Sequence, residues 1–150
     1  MGRGVKRFHV ERGSIEAHDL VSGAIKFEIA IPLVVDKQSV TSDTLATLDG
    51  YAKWKLSNFS KDYIDYIYVE LEYGSAGAGD VDLYNITDGS KIADLVAPSG
   101  ATSHTIVRVD VTSAMKAITS EKTIGIQAAG DGTNALDVYS AKLIIVMSFS

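Results

Sequence analysis

The sequence predicts an all-β, antiparallel sandwich, and three observations lead there. Apolar residues recur with a period of two, the signature of strands with one wet face, not with the 3.6 of a helix. Stretches rich in Gly, Asp and Ser (SGAI, LDGY, YGSAGAGD, TDGS, APSG, AGDGTN) interrupt the chain every ten residues or so, the spacing of short strands in a sandwich or barrel. Helical patterning is confined to one or two short turns.

The elements follow in order. In AIKFEIAI, Ile25, Phe27, Ile29 and Ile31 fall on one face and Lys26 and Glu28 on the other; Pro32 is expected to end this strand. TSDTLATL, residues 41–48, is expected to make a helical turn or two. Trp54 alternates with Lys53 and Lys55, which places its ring in the core beside Ala52 and Leu56. In DYIDYIYVELEY, Ile67, Val69, Leu71 and Tyr73 alternate with Tyr66, Tyr68, Glu70 and Glu72. Val107, Val109 and Val111 alternate with Arg108 and Asp110, and VTSAMKAI then makes a second helical turn with Thr112 or Ser113 as N-cap. Ile124, Ile126 and Ala128 form another strand, and AKLIIVMSF reads as one covered on both faces. The total is nine or ten strands.

The stretch VDLYNITDGSKIADL poses a choice between a turn and an acidic ligand site. A three-residue loop Thr87-Asp88-Gly89, with Gly89 in the left-handed region, pairs Leu83 with Ala93, Tyr84 with Ile92, Asn85 with Lys91 and Ile86 with Ser90. Turn chemistry thus accounts for the acids and hydroxyls. The alternative is a calcium site that gathers Asp80, Asp82, Asp88, Asp131 and Asp137 from separate loops. GSAGAGD lacks the residues of a phosphate loop and reads as a flexible hairpin tip.

The chain has 150 residues, enough for one domain with a real core, and its 46% apolar content argues against disorder. We divide it into a basic arm or first strand, residues 1–12, and a sandwich domain, residues 13–150. The arm holds the one basic cluster, Arg3, Lys6, Arg7 and Arg12, in a chain of net charge −5. That is too small a footprint for a nucleic-acid partner. No apolar run is long enough for a membrane-spanning helix, and no signal-peptide pattern is visible. The absence of cysteine excludes a disulfide framework, a thiolate zinc site and a cysteine nucleophile. The compartment stays open.

Constellations that carry chemistry are sparse. His9, His18 and His104 lack zinc spacing, and no nucleophile elbow occurs. Glu70 and Glu72 share a strand face about 7 Å apart, a range used by glycosidases, but acids on a wet strand face are ordinary. We therefore nominate no catalytic residue, no metal ligand and no cofactor. The candidate binding face is aromatic and charged: Tyr66 and Tyr68 beside Glu70 and Glu72, with Tyr51, Lys53 and Lys55 expected on the wet face of the preceding strand. Tyrosines beside charges suit a protein interface or a sugar.

TIVRVDVTSAMKAITSEKTIGIQAAG followed by DVYSAKLIIV resembles the closing half of jelly-roll sandwiches. These include carbohydrate- and galactose-binding-like modules and viral or surface structural domains. The resemblance implies an antiparallel jelly-roll-like fold and transfers no ligand residue. The expected role is a non-enzymatic structural or interaction subunit that self-associates as a homo-oligomer, in a virion or surface assembly, with the arm as one contact. The alternative is a carbohydrate-binding module whose partner is a glycan.

Overall fold

The structure is a computed structural model that describes residues 25–149. The basic arm, with Arg3, Lys6, Arg7 and Arg12, lies outside the described residues. Among the described residues ten strands form two antiparallel sheets. Sheet one contains β1 (Ile25–Val34), β2 (Gln38–Val40), β5 (Ile64–Ser75), β8 (Thr102–Asp110) and β10 (Leu136–Phe149). Sheet two contains β3 (Ala46–Thr47), β4 (Ala52–Trp54), β6 (Asp80–Asn85), β7 (Ser90–Val96) and β9 (Lys122–Ala129). In sheet one β10 lies between β5 and the β1–β2 pair, and β8 flanks β5; in sheet two β9 lies between β6 and the β3–β4 pair, and β7 flanks β6. Successive segments alternate between the sheets, which is jelly-roll connectivity.

The period-two pattern decides what fills the space between the sheets. Ile67, Val69 and Leu71 of β5, Leu143 and Ile145 of β10, Val81 and Leu83 of β6, and Ile124 and Ile126 of β9 are all sealed from solvent. β10 pairs Ile145 with Ile29 on one side and with Ile67 on the other, so three aliphatic strands share a register. Ile144, on the opposite face of β10, is also buried, between register partners Ala30 and Tyr68. Among the described residues no helix is long and apolar enough to cross a membrane.

Several local expectations are corrected. Pro32 does not end β1; it sits within the strand at a register shift before Val34. Its missing N–H is tolerated there because, among the described residues, β1 pairs only with β10. Residues 41–48 form no helix: Ala46 and Thr47 pair with Ala128 and Gln127, and the Leu48 N–H donates to the Ile126 carbonyl (2.9 Å). An open edge of β9 outbids a weak helical turn there. The second helical turn does form, as α1 (Thr112–Lys116), but its N-cap is Val111. Asp110 supplies the capping oxygen instead, accepting from the Thr112 N–H (2.8 Å) and hydroxyl (2.6 Å).

GSAGAGD is not a hairpin tip. It carries the chain from β5 in sheet one to β6 in sheet two, and the Ala76 N–H donates to the Ala135 carbonyl (3.1 Å). Asp131 organises the neighbouring loop. Its carboxylate accepts from the Asn134 side-chain amide and from the backbone N–H groups of Asn134 and Thr133, and these bonds hold its pKa down at about 2.

The β6–β7 hairpin keeps the expected Leu83–Ala93 pair but begins its loop one residue earlier, at Ile86, pairing Asn85 with Ser90 and Tyr84 with Lys91. Asn85 explains the change. Its side chain accepts from the Asp88 N–H (3.0 Å) and donates to the Asp88 carboxylate (3.0 Å), closing a four-residue loop. Gly89 takes the positive φ expected of it, +67°. Ile86 leaves the hairpin and donates its N–H to the Thr123 carbonyl of β9 (2.8 Å).

Candidate functional site

Two constellations stand out on the two outer faces. The first lies on sheet one. Tyr66, Tyr68, Glu70 and Glu72 alternate outward along β5, as the period-two pattern requires. Tyr66 and Tyr68 stack, with ring centroids 5.7 Å apart. Arg108 stands opposite Glu70 on β8 and donates to it (Nε–Oε1 3.0 Å). Its guanidinium lies over the Tyr68 ring at 6.0 Å and also reaches Glu28 of β1 (3.3 Å). Lys142 of β10 approaches Glu70 from the other side (3.3 Å). The Arg108 hydrogen bond, the largest influence, holds the Glu70 carboxyl below its ordinary pKa.

Glu72 belongs to a different group. His104 Nε2 and the Ser140 hydroxyl meet its carboxylate, and the His104 ring stacks on Tyr139 with centroids 4.0 Å apart. Lys37 covers the same tyrosine at 5.4 Å. Glu70 and Glu72 are thus each engaged by their own partners and do not act as one pair.

The other nominated residues lie elsewhere. Lys53 is in β4, on sheet two, while Tyr51 and Lys55 flank that strand and are exposed. They do not extend the Tyr66–Tyr68 face, because the chain changes sheets between Trp54 and Ile64. Trp54 is core, as expected: 1% exposed, stacked on Phe59 and donating its indole N–H to the Met115 carbonyl (3.2 Å). Sequence reasoning missed His104, Arg108, Tyr139 and Lys142. Only cross-strand register, which links residues tens of positions apart, brings them to β5; the outward alternation of Arg108 was the one available signal.

The second constellation is acidic and lies on sheet two. Asp80, Asp82 and Asp94 each place a carboxylate oxygen within 4.8 Å of the others. The five aspartates of the alternative calcium reading do not gather. Asp88 is held by Asn85 and Lys122, Asp131 by Asn134, and Asp137 by Ser39 and Lys37. Asp94 joins instead, because β6 and β7 place it directly opposite Asp82. Asp82 is 1% exposed, and burial, reinforced by the Asp80 charge, pushes its pKa up to about 6.

That shift has a sign. A carboxyl that binds its proton more tightly folded than unfolded stabilises the fold fully below its unfolded pKa, and this contribution is lost as pH rises through about 6. In chelator-containing buffer, Asp82→Asn is expected to melt higher than the parent at pH 7.5, by up to about 3 kcal/mol of stability. The difference should shrink towards pH 4. Paired urea titrations across this range check it, and a constant difference would remove the assignment to Asp82.

No protein-family model matches this sequence, and no curated protein matches it. Among solved structures the chain is similar to the VP2 subviral particle of infectious bursal disease virus, with a TM-score of 0.45 and 14% identity over 82% of this chain and 33% of that one. It is also similar to the Gx strain structure of that virus (TM-score 0.43, 15% identity, 84% of this chain, 33% of that one). A third similarity is to the T13 particle of the same virus (TM-score 0.40, 14% identity, 83% of this chain, 36% of that one). The chain spans about a third of the length of the chains it matches.

Proposed function

We propose that this protein is a non-enzymatic structural subunit that associates with copies of itself, in an assembly of virion type, through the outer face of sheet one and its β8 edge. One observation carries the reading. Ile106 is 60% exposed on β8, a nine-residue strand that pairs only with β5 among the described residues, and it shares the outer face with Tyr66, itself 47% exposed. A long edge with an outward isoleucine invites strand pairing or burial by a partner. Tyr66 and Tyr68, farther along the same face, add area at small entropic cost.

Light scattering tests this. The full chain is expected to run as a defined oligomer, and Ile106→Asp to weaken association at least tenfold with an unchanged circular dichroism spectrum. A full chain that stays monomeric at high concentration removes the proposal. A chain lacking Met1 to Arg12, measured beside it, assigns or denies a role to the basic arm.

The stacked Tyr66–Tyr68 pair beside Glu70 and Arg108 favours a second reading, a carbohydrate-binding module. Saturable glycan binding that disappears in Tyr66→Ala, with the melting curve intact, would select it over self-association.

A further inference from the structure

The acidic cluster on sheet two has no part in that reading and is independent of it. Asp82 faces Asp94 across the β6–β7 pair, and Asp80 precedes it on the same strand. Like charges directly opposite on paired strands repel. Clusters of surface acids are common, but Asp82 is not at the surface. It is 1% exposed, and its Oδ1 is buried without a hydrogen-bond partner. The nearby ammonium, Lys91 Nζ, spends its short bond on Asp94 Oδ1 (2.6 Å). Three carboxylates less one ammonium leave two negative charges, the complement of one divalent cation. The span also fits. Oxygens bound to one calcium ion at about 2.3–2.6 Å lie no more than about 5 Å apart, and these three lie within 4.8 Å.

We propose that Asp80, Asp82 and Asp94 form a calcium-binding site that ties β7 to β6. Asp82 is the buried anchor. Asp94, on the exposed side, closes the site, and water completes the oxygen shell. The ion takes over the role that Lys91 fills in part, and β7, the edge strand of sheet two, becomes cross-linked to β6.

The full chain, stripped with EDTA and dialysed, is titrated with CaCl2 against NaCl of equal ionic strength, and the melting temperature is followed. Calcium is expected to raise it saturably by about 3–8 °C, with NaCl producing no comparable rise. Equilibrium dialysis with radioactive calcium should find one ion per chain. The double variant Asp80→Asn, Asp94→Asn, altered outside the core, should lose both effects. Lys91→Ala, which removes a competing ammonium, should tighten calcium binding about three- to tenfold. The proposal is overturned if calcium raises the melting temperature no more than NaCl does, or equally in the double variant. If that variant does not fold, the Lys91→Ala titration decides: unchanged or weaker calcium binding overturns the site.

Discussion

Gly50→Ala is expected to cost about 3–5 kcal/mol, a large share of the roughly 5–15 kcal/mol that keeps an ordinary domain folded. Two independent penalties meet at this residue. Its φ is +111°, a conformation that costs a residue with a Cβ roughly 1–3 kcal/mol. An added Cβ would also lie 2.1 Å from the Leu33 carbonyl oxygen, which is backbone of β1 and has little room to retreat. Nor is the connection free to move. Gln38 grips the preceding residue through both ends of its amide, donating to the Asp49 carbonyl (2.8 Å) and accepting from the Asp49 N–H (2.7 Å). Gly100→Ala is the control: its φ is +119°, but a Cβ there meets nothing within 4 Å. It should lose only the conformational part. Denaturant titrations of both variants separate clash from strain, and equal losses would show that the contact with β1 is soft.

Trp54→Ala should cost a comparable 3–5 kcal/mol or so, for a different reason. The indole joins three elements: it comes from β4, stacks on Phe59 at 5.4 Å and donates to the carbonyl of Met115 in α1 (3.2 Å). Removing it opens a cavity and takes one donor from the Met115 carbonyl, which keeps the Ile118 N–H (3.2 Å). Trp54→Phe keeps most of the area and loses the hydrogen bond, so about 1–2 kcal/mol is expected. Far-UV circular dichroism must follow the unfolding, since both variants lack the chain's one tryptophan. A loss in Trp54→Phe equal to that in Trp54→Ala would place the energy in the hydrogen bond, not in packing.

The strands were legible because alternation is a local property. Ile67, Val69 and Leu71 announce a half-buried strand from five residues, and Gly89 announces a turn because few side chains accept its backbone conformation. What failed was long-range. Nothing in YAKWKL shows that Lys53 lies on a different sheet from Tyr66, since the chain changes sheets in the intervening segment. The hairpin register depended on Asn85, whose side chain claims Asp88 and lengthens the loop. The expected Leu83–Ala93 pair already implied that Asp94 faces Asp82, so that contact was legible; sequence spacing could not show that Asp88, Asp131 and Asp137 are held by other partners. TSDTLATL has modest helical propensity, and a strand edge far along the chain overrode it.

The order of strands in sheet one also bears on how the chain acquires its structure. β1 is early in the sequence, yet among the described residues its only strand partner is β10, with Ile29 meeting Ile145. β5 likewise has β10 on one side. During synthesis β1 waits, and β5 can pair only with β8, until the segment that lies between them has been made. Such distant pairings favour slow folding and long exposure of sticky edges. Refolding yield should therefore depend steeply on protein concentration, and a chain interrupted before Leu136 would be a substrate for chaperones rather than a smaller version of the domain.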